Sequence, residues 1–82
     1  VKLLVYPLDN TENAHPYYPL SVEGTPDELT DIVNQVILDD ENLEQESVRC
    51  NMMGLLPPDA SLHELVKWVN RHSREIAVQL DS

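Results

Sequence analysis

Apolar and polar positions alternate with a period of two near both ends of the chain and recur with a period near 3.6 in two stretches between them. Residues 2–8, "KLLVYPL", place Leu4, Tyr6 and Leu8 on one face of an extended strand and Leu3 and Val5 on the other. Pro7 has no N–H to give to a ladder, so the strand is near an edge or irregular by that point. Residues 9–15, "DNTENAH", are polar and turn-rich and read as a loop. Residues 17–24, "YYPLSVEG", resume the alternation, with Tyr18, Leu20 and Val22 opposite Tyr17, Pro19 and Ser21. The two strands make a hairpin with a long tip.

Residues 24–40, "GTPDELTDIVNQVILDD", predict a helix. Thr25 caps it, Pro26 fits the first helical position, and Glu28 completes a capping box three residues after Thr25. Leu29, Ile32, Val33, Val36 and Ile37 form one apolar stripe, and the helix ends near Leu38. Residues 39–46, "DDENLEQE", would set acids against the negative end of the helix dipole and read as a loop. Residues 47–53, "SVRCNMM", predict a third strand with Val48, Cys50 and Met52 on one face, closed by Gly54. Pro57 and Pro58 then force a turn. Residues 61–73, "SLHELVKWVNRHS", open on Ser61 and Glu64 as a second capping box and place Leu62, Leu65, Val66 and Val69 on one helical face. The last strand, within 74–81, turns Ile76, Val78 and Leu80 inward and Ala77, Gln79 and Asp81 outward. The predicted order is strand, strand, helix, strand, helix, strand.

With 82 residues the chain is one domain, 1–82, near the lower size at which an apolar core holds without staples. It begins on Val1 rather than methionine, so it is expected to be part of a larger protein. Cys50 is the single cysteine, closes no internal disulfide, and favours a reducing compartment, cytoplasmic or nuclear. No apolar run is long enough to span a membrane. Five Lys and Arg stand against fifteen Asp and Glu, a net charge of −10, which argues against nucleic acid and anionic membranes as partners. The imbalance is local: residues 1–46 hold eleven acids against Lys2 alone, whereas 47–82 hold four acids against Arg49, Lys67, Arg71 and Arg74.

The chain resembles the ubiquitin-like domains. The residues that carry the likeness are a strand ending in glycine (48–54), Leu56 and Asp59 in an acidic turn, "SLHEL" at 61–65, the alternating end 75–81, and a hairpin leading into a helix through "GTPDEL". The resemblance implies an α+β fold of the β-grasp type. Its mixed four-stranded sheet would pack on one long helix, with a second short helix before a last strand suited to parallel pairing. The end "VQLDS" has no Gly-Gly, so a conjugated modifier is not implied. The receptor-binding patch of ubiquitin would fall on Asn51, Ala77 and Gln79, which are too polar for the same receptors. Residues 61–73 exceed the turn that they would replace, and specific function is expected there.

The candidates for chemistry are few. His15, His63 and His72 could be set beside Cys50 as a thiol–imidazole pair, but Cys50 is placed by alternation on an inward face, where a thiol is inert packing. The spacing of His63 and His72 matches no metal-ligand motif, and two glycines make no phosphate-cradling loop. No cofactor, metal or small-molecule substrate is expected, and the chain reads as a non-enzyme. Trp68 lies at the border of the second helix's apolar face beside Lys67 and Arg71, and Lys67, Arg71 and Arg74 form a basic strip on an acidic domain. Tyr17 is a further candidate anchor. The expected function is a non-catalytic protein–protein interaction module that docks a protein through its sheet face or through the Trp68 helix. The alternatives are a GTPase-binding domain like the Ras-association and FERM first-lobe domains, and a structural subunit of an obligate complex. Residues 17–23 carry no Lys or Arg for the basic strand that such GTPase binders use.

Overall fold

The computed structural model describes residues 1–8 and 19–81. The elements are β1 (Lys2–Pro7), β2 (Leu20–Glu23), α1 (Pro26–Asp39), α2 (Glu41–Met53), α3 (Leu62–His72) and β3 (Ile76–Asp81). The strands form one antiparallel sheet in the order β2-β1-β3, with Leu3 opposite Val22 on one side and Leu80 on the other. Alternation decides which face is covered. Leu3, Val5, Ile76 and Val78 are buried beneath the helices, while Lys2, Tyr6, Gln79 and Asp81 stand on the exposed face. Among the helices, α3 packs on β3 and on α1, and α1 in turn packs on α2.

Helix α1 starts where its capping box places it. The Thr25 side chain accepts the Glu28 N–H, and the Glu28 carboxylate accepts the Thr25 N–H. Leu29, Val33, Val36 and Ile37 are buried and Ile32 packs against them, which is the apolar stripe of the sequence. In α3 Ser61 accepts the Glu64 N–H, and Leu62, Leu65, Val66 and Val69 are buried together with Trp68. Where the chain turns from α3 into β3, Ser73 Oγ accepts the Ile76 N–H at 3.1 Å.

The outer margin of β3 is sealed from α3. The Leu8 N–H donates to the Glu75 carbonyl in the β1–β3 ladder, so three residues along, alternation turns the Val78 backbone groups away from β1. Asn70 meets both of them. Its Nδ2 donates to the Val78 carbonyl at 2.8 Å, and its Oδ1 accepts the Val78 N–H at 2.7 Å. One side-chain amide thus takes the place of a neighbouring strand.

Three expectations are corrected. The four-stranded mixed sheet on one long helix is instead three antiparallel strands and three helices of comparable length. The last strand runs antiparallel to β1, where the resemblance implies a parallel pair. The expected third strand, with the loop before it, is α2. Asp40 is the reason: it is extended, ends α1, and its Oδ1 accepts the N–H groups of Asn42 and Leu43, so a new helix starts after a single residue. The acids at 41 and 44 then lie at the positive end of a dipole rather than the negative end of the preceding one. Gly54 closes α2 with φ 74°, its N–H directed to the Cys50 and Asn51 carbonyls. The glycine that resembles the end of a strand ends a helix, and Asn51 shares no sheet face with Ala77 and Gln79. The antiparallel pairing of β1 with β2 stands as expected, over Leu20–Glu23 among the described residues. The predicted tip 9–15 and Tyr17 and Tyr18 lie outside the described residues.

Candidate functional site

Helix α2 is held unlike its neighbours. Of its thirteen residues only Leu43 and Cys50, two turns apart, are buried. Local devices do the rest: the Asp40 cap, the Gly54 closure, and an ion pair one turn apart between Glu46 and Arg49. Large apolar side chains are consequently left outside. Val48 is 53% exposed, Met52 84%, Met53 64%, and Leu55 just beyond the helix 67%. Four such residues within eight positions form a surface that folding alone does not require.

Two grooves border this helix, one along it and one at its C-terminal end. The first, of about 760 Å³, lies between α1, α2 and the turn at 56–60, and its charged lining residues are Asp27, Glu44 and Asp59. The second, of about 800 Å³, lies between the end of α2 and α3. Leu55, Lys67, Trp68, Arg71 and His72 line it, with Cys50 at its base, and Glu64 is its one acid. The two grooves therefore differ in sign. Lys67 and Arg71 are exposed, four residues apart on α3, and make no ion pair among the described residues.

Trp68 supplies apolar surface to the second groove while being 94% buried, since its exposure is 6%. Its ring stacks on His72 with centroids 4.5 Å apart and planes 22° from parallel. The His72 Nδ1 lies 2.9 Å from the Trp68 carbonyl oxygen, to which it donates in the Nδ1–H tautomer. The indole Nε1–H has no acceptor among the described residues. A buried donor left in this state costs about 1–3 kcal/mol, so the groove wall holds an unused hydrogen bond.

Of the five residues proposed from sequence, the structure brings Lys67, Trp68 and Arg71 to one groove. Trp68 belongs to the core as well as to the groove wall, rather than standing free as an anchor. Arg74 is exposed in the turn before β3 and lines neither groove, and Tyr17 lies outside the described residues. Cys50 and His72 line the same groove, but no hydrogen bond joins them; Cys50 is free, 3% exposed, and the His72 Nδ1 is taken by a carbonyl. No cluster of three His, Cys, Asp or Glu suited to a metal ion occurs among the described residues. None of their helices is long and apolar enough to cross a membrane.

The sequence reading missed Leu55 and the exposed side of α2, because it laid residues 47–53 in a strand. The signal was present in Asp40, the acids at 41 and 44, and Gly54, which together spell a helix with a start and a stop. No family model, curated protein or solved structure matches the chain.

Proposed function

We propose that this domain is a non-catalytic protein-binding module that docks its partner in the groove between α2 and α3. The observation that carries the reading is Leu55, 67% exposed and lining a groove with an aromatic wall and a cationic rim, just beyond the exposed Met52 and Met53 at the end of α2; Val48 lines the opposite groove. Interfaces favour this composition: aromatic, Met and Arg side chains are enriched at their centres, and a large apolar patch on a small domain marks a contact. The exposed sheet face is a poorer candidate, because Lys2, Ser21, Glu23, Gln79 and Asp81 dominate it. The GTPase-binding alternative gains nothing from β2, whose exposed side chains are Ser21 and Glu23. A buried, free Cys50 suits a reducing, intracellular setting.

Site-specific photo-cross-linking in the cells that make the protein tests the docking surface. A photoreactive residue at Leu55 should give a discrete protein adduct that Arg71→Glu removes, and the same group at Gln79 on the sheet face should give none. Adducts from Gln79 but not from Leu55 would overturn the reading.

A further inference from the structure

We infer that the groove between α2 and α3 receives an acidic, apolar peptide segment of the partner protein, with carboxylates on Lys67 and Arg71 and apolar side chains on Leu55 and the indole of Trp68. The inference rests on the binding role proposed above and adds the chemistry of what is bound.

Three observations on different atoms lead to it. The first is charge. The chain carries −10 overall, yet this groove holds two of its five Lys and Arg against the single acid Glu64, whereas the groove along α2 has only acids. Two cations without an ion pair among the described residues are available to an outside carboxylate. The second is apolar surface: Leu55, 67% exposed, and the largely buried Trp68 line the same groove. The third is the buried Trp68 Nε1–H, which has no acceptor among the described residues. A carbonyl or carboxylate oxygen brought by an occupant would fill that vacancy after a small movement of the groove wall.

Charge also sets the direction of docking. Exposed acids elsewhere among the described residues, such as Glu23, Asp27, Asp31, Glu41 and Glu44, repel an acidic segment from other faces, and so act as a filter on register rather than as an attraction. A second copy of the chain fits less well, because two domains at −10 repel one another. A basic segment would find its complement in the opposite groove, lined by Asp27, Glu44 and Asp59.

A random peptide library displayed on phage, selected on the whole domain, tests the inference. Enriched peptides should combine Asp or Glu with large apolar residues. As synthetic peptides they should bind the wild type about tenfold or more tightly than the Lys67→Glu/Arg71→Glu variant, while Lys67→Arg/Arg71→Lys retains binding. The chain has one tryptophan, so one indole N–H resonance reports on Trp68, and it should move downfield on saturation as the bond forms. Both sites of charge reversal are exposed, and the circular dichroism of the variant should equal that of the wild type. Peptides that lose binding in Leu55→Asp but are indifferent to the charge reversal, or that are basic, would overturn the acidic occupant and leave the docking role standing. Peptides indifferent to Leu55→Asp as well, or no enrichment at all, would overturn both.

Discussion

Helices α3 and α2 are nearly the same length and both pack on α1, yet they are stabilised in different ways. Helix α3 buries five of its eleven residues and is held by the core; α2 buries two of thirteen and is held by its ends. Packing leaves α3 little freedom to vary its inner face. By contrast, α2 needs only Leu43, Cys50 and two caps, so its remaining apolar side chains are free to serve another molecule. The inner residues of α3 are thus committed to the fold, whereas the exposed apolar residues of α2 are not.

The largest effect should come from the α3 side. Trp68→Ala empties a core position and is expected to cost about 3–5 kcal/mol, a large share of what a domain of this size has. Urea denaturation followed by circular dichroism measures it, and a loss below about 1 kcal/mol would show that the indole is not structural. At the ends of α2 the effects should be smaller and local. Asp40→Ala removes the acceptor of two N–H groups and should cost about 1 kcal/mol. Gly54→Ala should cost about 1–2 kcal/mol, entirely from the left-handed backbone, since a methyl group there meets nothing within 4 Å. Hydrogen exchange sharpens the point: α2 amides should exchange faster in both variants while those in the middle of α1 keep their protection. Smallest of all, Met52→Ser should change stability by less than about 0.5 kcal/mol, because the side chain is 84% exposed. A larger loss would mean that the outer side of α2 serves the fold after all.

The same contrast explains what could be read from the sequence. Where a helix is made by packing, its apolar period is written in the residues: Leu29 to Ile37 in α1 and Leu62 to Val69 in α3 were legible with their caps. The inward side of the last strand was legible for the same reason, through Ile76 and Val78. Helix α2 was not. With two buried residues it has almost no period, and Val48, Cys50 and Met52 happen to alternate as a strand would; only Cys50 of the three is buried. That one misreading produced the fourth strand, and the β-grasp expectation followed from it. The direction of β3 was hidden for another reason, since the pattern of a strand says which face is inward but not which way its neighbour runs. Of the candidate site, Lys67, Trp68 and Arg71 were visible from composition and helical spacing. Leu55 was not, because its part in the groove depends on where α2 stops.

Asn70 has a meaning beyond the domain itself. A sheet margin with free backbone groups is a template on which identical chains stack into fibrils at high concentration. By occupying both polar groups of Val78, this amide interrupts that template midway along β3, so an incoming chain finds no continuous row to copy. A domain that leaves two methionines and a leucine exposed is thereby kept from assembling with itself along this side.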